Sequence, residues 1–390
     1  MTFIDDILKY NSLSIVGLQK NTGKTVSLNY VLDRLPVERK RIAVTSIGID
    51  GETTDQVTRT QKPEIYLRQG MYFGTSEMHY RQKRIVSELI DVSDENTSLG
   101  RVVTAKALTG GKILLSGPSS SSGLKRWMKD MHRVGIELVI IDGALSRMSL
   151  ASPTVSQSMI LATGAAYSTN MNTLVQQTAF VVDLIKIPLT EEANLKLLMP
   201  IEKGVWYIDD EGALHELSHI SSLSQDFRFE GMDRCKTLYV AGALVDGFLE
   251  KVRKNPKLKT TELVVRDFTK IFVSPQQYRL FLKAGGMIRV LQKSKLIAVT
   301  VNPTSPLGVT LDSDTLCNRL SEAIQLPVYD LMKNNVDDCV PQSSQTNCVS
   351  ETKVNNNCVS ETKVNNNCVC ETQINNNCVC ETQTPTMRCN

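Results

Sequence analysis

Short apolar runs that end in glycine or a polar residue, each followed by a segment of helical periodicity, recur from residue 13 to residue 331. The first run, LSIVG, covers residues 13–17, and the segment after it has apolar residues at positions 26, 28, 31, 32 and 35. A short β-branched run is typical of a buried strand, and spacings of three and four are typical of one helix face. Repeated strand–loop–helix units predict parallel strands joined by crossover helices. The pattern therefore predicts an α/β protein with a three-layer, mostly parallel sheet.

Two further strands are predicted near the first one. Residues 42–46 form a short β-branched run, and residues 137–141 are continuously apolar after Glu137. A continuous apolar run indicates a central strand that is buried on both faces of the sheet. Further strand–helix units are predicted in four later segments, which are 158–188, 236–252, 261–285 and 295–331.

Two hairpins interrupt this order. Residues 101–117 predict a β-hairpin, inserted at about 100–117, with its turn at Thr109–Gly111. Residues 189–235 are less regular, but the segment GVWYIDDEGALHEL predicts a hairpin with its turn at Asp210–Gly212. We therefore expect one α/β body over residues 1–338, with a hairpin at each of these places.

The C-terminal segment, residues 339–390, differs from this body. It repeats with a period of ten, as in NNNCVSETKV, and it contains eight of the ten cysteines. It is rich in Asn and Thr and lacks an apolar period, so it is predicted to be disordered and without function. A stacked solenoid and a soft-metal site on cysteine thiolates are the alternatives.

The loop after the first strand carries the strongest motif. The phosphate-loop pattern is Gly, four residues, Gly, Lys, then Ser or Thr. Here five residues separate Gly17 from Gly23, which is followed by Lys24 and Thr25. A strand precedes the loop and a helix follows it, as the motif requires, so the segment predicts a nucleotide-binding site despite the extra residue. A glycine turn before a helix is the alternative.

Each residue of this loop has a predicted role in binding. Lys24 would contact the β- and γ-phosphates, and the Thr25 hydroxyl would hold Mg²⁺. Lys20 would add a second positive charge, and Asn21 and Thr22 suit a tight turn around the phosphates. Gly17 and Gly23 would let the backbone approach the phosphates, which meet the N–H groups at the start of the helix.

Acidic residues follow two of the predicted strands. Asp142 ends the run 137–141, which is the Walker-B arrangement for binding Mg²⁺. Asp50 and Glu52 follow the second strand, where either would meet Mg²⁺ or orient the attacking water. A helix N-cap is the alternative for Asp142, and an exposed polar turn is the alternative for the pair. Arg147 would contact phosphate or a partner.

Three other polar segments are candidates for binding. Asn302 begins a loop at a strand end, where it would hydrogen-bond the base; because no Asn-Lys-x-Asp motif is present, ATP is preferred to GTP. A proline-rich turn is the alternative there. Ser119–Ser122 would bind a substrate anion or cap the following helix. His215 and His219 have the spacing of one helical face, but such a pair is weak evidence for zinc.

Composition limits the classes of function. The formal net charge is only +3, aromatic residues make up 5%, and no basic stripe is present, so a nucleic-acid partner is not expected. No apolar run reaches the roughly 18 residues needed to span a bilayer, and no N-terminal signal pattern is visible. The cysteine-poor body suits a reducing compartment, so a cytoplasmic location away from membranes is expected.

The loop G-x5-G-K-T resembles that of dethiobiotin synthetase, within the signal-recognition-like class of P-loop NTPases. Four segments are similar to accessory proteins encoded beside lysine 5,6-aminomutase: GLQKNTGKT, VTSIGIDGE, IDGALSRMS and VNPTSPLG. The first resemblance implies a P-loop NTPase fold and a homodimer, and the second implies a subunit of a reactivase for that B12-dependent enzyme.

Three functions follow as hypotheses. The first is a Mg²⁺-dependent nucleotide-binding accessory protein, a P-loop nucleoside triphosphatase that remodels a client enzyme. Its catalytic residues would be Lys24, Asp142 and Asp50. The second is a small-molecule ligase or kinase that holds its substrate with Ser119–Ser122 and Arg147. The third is a nucleotide-binding scaffold without turnover.

Overall fold

The computed structural model describes residues 3–47, 64–144, 155–218, 234–258 and 261–333 of the 390-residue chain. The predictions for Asp50, Glu52, Arg147, His219 and the 339–390 repeat lie outside these described residues.

The described strands and helices alternate for much of the chain, as the apolar pattern predicted. The strands are β1 (Ser12–Gly17), β2 (Ile42–Ser46), β3 (Ile65–Leu67), β4 (Tyr72–Ser76), β5 (Ser87–Thr97), β6 (Gly100–Ala107), β7 (Gly111–Ile113), β8 (Leu138–Ala144), β9 (Ser158–Gly164), β10 (Val205–Asp209), β11 (Leu214–Ser218), β12 (Cys235–Val240), β13 (Leu244–Val245), β14 (Glu262–Val265), β15 (Ile271–Phe272), β16 (Met287–Val290), β17 (Lys295–Asn302) and β18 (Val328–Tyr329). The helices are α1 (Phe3–Ile7), α2 (Lys24–Arg34), α3 (Glu77–Gln82), α4 (Ser121–Arg133), α5 (Met171–Lys186), α6 (Glu192–Leu198), α7 (Asp246–Lys254), α8 (Pro275–Lys283) and α9 (Ser313–Ile324).

The main sheet has nine strands in the order β18-β17-β9-β1-β8-β2-β4-β6-β5. The strands from β18 to β4 are parallel, and β6 and β5 complete one edge as an antiparallel pair. The fold is therefore a mixed α/β architecture built on a large, mostly parallel sheet. All six residues of β1 are buried because this strand lies near the centre of the sheet, as its run of mainly apolar residues predicts.

Helices cover both faces of this sheet. On one face, Leu138 and Ile140 of β8 share a core cluster with Leu28 of α2. On the other face, Val139 of β8 shares a cluster with Trp127 of α4. Since successive side chains of a strand point to opposite faces, these clusters lie on opposite sides of the sheet. The arrangement has helix, sheet and helix layers.

A second sheet departs from the prediction of one sheet for the whole body. Its five strands have the order β11-β10-β12-β14-β16, in which β10 is antiparallel to both neighbours and the last three strands are parallel. The units at 236–252 and 261–285 contain the predicted strands and helices, but these strands do not join the main sheet. The second sheet packs on the α5 side of the main sheet, since Val240 and Val265 share a core cluster with Val182 of α5. The predicted hairpin around residue 210 is confirmed as the β10–β11 pair.

The predicted hairpin at 100–117 is wrong in its pairing. β6 pairs with β5 and β4, whereas β7 pairs with β3. Close packing, and not a tight hairpin turn, accounts for glycine at position 111. A Cβ on Gly111 would lie 2.5 Å from Cγ2 of Ile85. The glycine instead allows the chain to pass close to Ile85 on its way from one sheet to the next.

Among the described helices, none is long and apolar enough to cross a membrane.

Candidate phosphate-binding site

The loop between β1 and α2 lies at the carboxyl edge of the main sheet, beside a reversal in strand order. β1 has β8 on one side and β9 on the other, both parallel to it. The chain continues from β1 through α2 to β2 on the β8 side, and from β9 through α5 toward β17 on the opposite side. Ligands of open α/β sheets bind outside the carboxyl ends of strands at such a position.

Unusual backbone conformations shape this loop. Gly23 has a φ of 88°, and Asn21 has a φ of 63°, a left-handed conformation that asparagine tolerates better than most residues. The Thr22 hydroxyl donates a hydrogen bond of 2.8 Å to the Gln19 carbonyl. A Cβ on Gly17 would lie 2.7 Å from that hydroxyl oxygen. The loop therefore folds back on the end of β1, and Thr22 holds its shape from within.

Helix α2 begins at this loop without a side-chain cap, because its N-cap residue is Gly23. The other described helices longer than nine residues have side-chain caps, from Ser120, Asn170 and Asp312. Caps satisfy the N–H groups of the first turn, and leaving them out costs stability. The first turn of α2 therefore has the arrangement of an anion-binding helix terminus.

Lys24, the first residue of α2, forms an ion pair with Asp142 of β8. The Lys24 Nζ lies 3.1 Å from the Asp142 Oδ1, and the two side chains are 17% and 6% exposed. The pair forms because β8 is adjacent and parallel to β1, with Asp142 opposite Ile15 in the register. β8 continues to Ala144, so Asp142 lies inside the strand and is not a helix N-cap.

Asn302 connects the end of β17 to the phosphate loop. Its Nδ2 donates a hydrogen bond of 2.9 Å to the Asn21 carbonyl, and its Oδ1 accepts one of 3.2 Å from the Thr304 N–H. Its own carbonyl accepts a bond of 2.9 Å from the Ala165 N–H. A Cβ on Gly164 would lie 2.0 Å from that carbonyl oxygen, so this position needs glycine. Asn302 thus joins three loops of the edge, and its contact with a base stays a prediction.

The remaining predicted loop residues lie around this centre. Thr25 is half-buried in the first turn of α2, beside Lys24, and Lys20 is exposed on the loop. Behind them, the Ser27 and Thr300 hydroxyls are 2.8 Å apart, which links α2 to β17 through buried polar groups. The structure therefore brings together the predicted loop, Asp142 and Asn302.

The serine-rich loop is a helix cap. The Ser120 side chain accepts a hydrogen bond of 3.0 Å from the Gly123 N–H at the start of α4. The Glu95 carboxylate also lies there, 3.1 Å from Arg126 and within 3.4 Å of the Ser120 hydroxyl. A carboxylate of the protein itself thus accompanies the cap at this helix terminus.

The histidine pair gains no support as a zinc site. His215 is in β11, where its Nε2 lies 2.8 Å from an Asp209 carboxylate oxygen and its ring stacks on Tyr207. In the described part of the chain, no group of three or more His, Cys, Asp and Glu residues is placed to hold a metal ion.

One polar cluster near the carboxyl ends of β2 and β4 had no signal in the sequence. Ser116 lies 2.8 Å from the Nδ1 of His79 and 2.7 Å from the Ser76 hydroxyl, and all three side chains are buried. Burial lowers the pKa of His79. These residues are scattered over 41 positions of the chain, so only the tertiary fold brings them together.

Comparisons with known proteins add little to this geometry. No protein-family model and no curated protein matches the chain. Among solved structures, one match is described as pNOB8 ParA bound to nonspecific DNA. It has a TM-score of 0.25 and 12% identity, and it covers 46% of this chain and 62% of that chain, so less than two thirds of that protein is spanned. Likeness at this level decides neither the fold nor the function, which rest on the contacts described above.

Proposed function

We propose that this protein binds a nucleoside triphosphate with Mg²⁺ at the β1–α2 loop and hydrolyses it. The observation that carries the proposal is the position of Lys24, which is the first residue of the uncapped helix α2 and is paired with Asp142. The pair lies at the carboxyl edge of the sheet, where ligands of such folds bind.

This arrangement is poorly explained by stability alone. A cation at a helix N-terminus meets the positive end of the helix dipole, which is unfavourable. Removing two charges from water costs several kcal/mol per ion, which their attraction repays only with excellent geometry. A bound phosphate reverses this balance, because the anion meets the N–H groups, the dipole and the Lys24 ammonium together.

The residues present fit a magnesium nucleotide. Mg²⁺ prefers oxygen ligands, and the Thr25 hydroxyl and the Asp142 carboxylate would hold it. Once bound, Mg²⁺ supplies charge neutralisation for the phosphate oxygens. Lys24 would bind the β- and γ-phosphates, and Asn302 would keep the loop in its binding conformation through the Asn21 carbonyl. We expect Asp50 to orient the attacking water.

The proposal also specifies the nucleotide and the client protein. ATP is preferred because the sequence lacks an Asn-Lys-x-Asp motif for guanine. The client, the B12-dependent lysine 5,6-aminomutase, follows from the sequence resemblance of four segments and has no support in the described geometry. A homodimer follows from the resemblance of the loop to the signal-recognition-like class of P-loop NTPases.

The contacts of the serine loop argue against the ligase or kinase alternative. It needs Ser119–Ser122 to hold a substrate anion, but Ser120 caps α4 and Glu95 lies at the same helix terminus. The described residues thus favour a nucleotide site without a second anion site on the serine loop.

Turnover is tested by phosphate release from ATP and from GTP, with and without Mg²⁺, for the full chain and for Lys24→Ala. We expect Mg²⁺-dependent release that is faster with ATP and is lost in the variant. Lys129→Ala, which removes an exposed lysine of α4, is the matched control and should behave as wild type. Release that is equal in wild type and Lys24→Ala contradicts hydrolysis at this site.

The client is tested in the same assay by adding purified aminomutase. Release that increases with the aminomutase, but not with an unrelated enzyme, supports the reactivase function. Release that responds instead to a small metabolite supports the ligase or kinase. Binding without any release leaves the scaffold function.

A further inference from the structure

A groove of about 460 Å³ lies away from the phosphate loop, between the C-terminal end of α5, helix α8 and the start of β16. Its volume is within the range of roughly 300–1,000 Å³ that is typical of sites for small organic ligands. α5 has 16 residues and runs back from the carboxyl edge of β9, so its two ends are about 24 Å apart. The groove is therefore separate from the proposed nucleotide site and does not depend on it.

The walls of this groove are mainly apolar. The floor is formed by buried side chains, and the rim by side chains that remain open to solvent. These residues are Ile187, Tyr278 and Ile288 in the floor, and Pro188, Leu282 and Met287 in the rim. Leu282 and Met287 are each 42% exposed. Apolar surface of this kind favours a ligand with an apolar body.

The charged residues around the groove are mostly positive. Lys186 and Arg289 line it together with one acid, Asp183. Behind Lys186, the Lys293 Nζ donates a hydrogen bond of 2.8 Å to the Lys186 carbonyl. Burial lowers the pKa of both Lys186 and Lys293, and the charge of Lys295 acts in the same direction, whereas the Asp183 carboxylate acts in the opposite direction on Lys186. Cations that repel one another in a partly desolvated place are stabilised by a bound anion.

The existing ion pairs do not cancel this charge. Arg289 Nε is 3.7 Å from Glu262, a long contact, and Lys186 donates to the Ile324 carbonyl, which has no net charge. Asp183 is the acidic member of the lining; burial raises the pKa of its carboxyl, and the charges of Lys186 and Arg279 act in the opposite direction. The surroundings of the groove thus retain a positive excess next to an apolar floor.

We propose that this groove is a binding site for a small organic anion with an apolar body, such as a medium-chain carboxylate. The apolar body would pack on Tyr278 and Ile288 and under Met287. The carboxylate would lie between Lys186 and Arg289, where charge-assisted hydrogen bonds are available.

Octanoate is the probe, with 1-octanol as its neutral counterpart, and binding to the full chain is measured by calorimetry. We expect octanoate to bind more tightly than octanol. Arg289→Gln should weaken octanoate binding about tenfold, as expected for the loss of one charge-assisted hydrogen bond, and should leave octanol binding unchanged. Arg133→Gln, at an exposed arginine of α4, is the matched control.

A second variant tests the apolar wall. Met287→Glu should abolish binding of both compounds, whereas Leu197→Glu, which changes a side chain that is 43% exposed outside the groove, should not. Thermal unfolding of each variant checks that it is folded. Three results overturn the proposal: no octanoate binding at millimolar concentration, equal affinity for octanoate and octanol, or equal effects of Met287→Glu and Leu197→Glu.

Discussion

Breaking the Lys24–Asp142 pair from one side should destabilise the nucleotide-free protein strongly, and breaking it from both sides should cost less than the sum of the two single losses. At 3.1 Å the attraction between the charges is about 5 kcal/mol for an effective dielectric constant of about 20. Both side chains are mostly buried, so desolvation opposes this attraction. Lys24→Met removes the Lys24 ammonium from the buried Asp142 carboxylate, and we expect a loss of about 3 kcal/mol.

The assay is a double-mutant cycle in urea, with wild type, Lys24→Met, Asp142→Asn and the double variant. We expect the double variant to be more stable than the sum of the single losses predicts, by about 2 kcal/mol. The exposed Lys196–Glu192 pair of α6 is the matched control and should show no measurable coupling. Additive losses for Lys24 and Asp142 would refute the reasoning that the two charges interact as a preformed part of the site.

Three further predictions concern the surroundings of the site. Asn302→Ala should weaken ATP binding about fivefold in calorimetry, because it removes one hydrogen bond that fixes the Asn21 carbonyl. Gly164→Ala should lower the thermal midpoint, because its Cβ would lie 2.0 Å from a backbone oxygen; Gly242→Ala, which meets nothing within 4 Å, should not, and equal midpoints would contradict the close approach. Burial lowers the pKa of His79 below 6.5, so the unfolded chain binds its proton first and stability should fall as pH drops below that value. His79→Gln should reduce this fall in urea unfolding at a series of pH values, and an unchanged pH profile would exclude His79 as its source.

The local elements around the site could be predicted from the sequence. The predicted strand 42–46 is found as β2, and the strand at 13–17 is found one residue longer as β1. Both predictions succeed because a short, mainly apolar run by itself indicates a strand that is buried on both faces of the sheet. The sequence predicted that the loop and Asp142 serve one magnesium nucleotide, because each follows a predicted strand, but it did not predict the direct pairing of Lys24 with Asp142. That these strands are adjacent was not predicted, because strand order is a property of the whole chain.

Contacts between distant parts of the chain could not be predicted. The bond from Asn302 to Asn21 joins residues 281 positions apart, and no local pattern encodes it. The hairpin prediction failed for the same reason. The sequence indicates that β6 and β7 are strands, but it does not show that β6 pairs with β4 and that β7 pairs with β3. The strands of the second sheet can likewise be predicted as strands from the sequence, but the sequence does not predict which sheet they join.

The central claim is that the β1–α2 loop binds a magnesium nucleotide through Lys24. Its most direct test is calorimetric titration of ATP with Mg²⁺ into the full chain, into Lys24→Ala and into the control Lys129→Ala. We predict that wild type and the control bind with equal affinity and that Lys24→Ala binds at least about tenfold more weakly, the loss expected for a charge-assisted contact. If wild type does not bind ATP or GTP, or if Lys24→Ala binds as tightly as wild type, the loop is a turn before a helix and the proposed function is wrong.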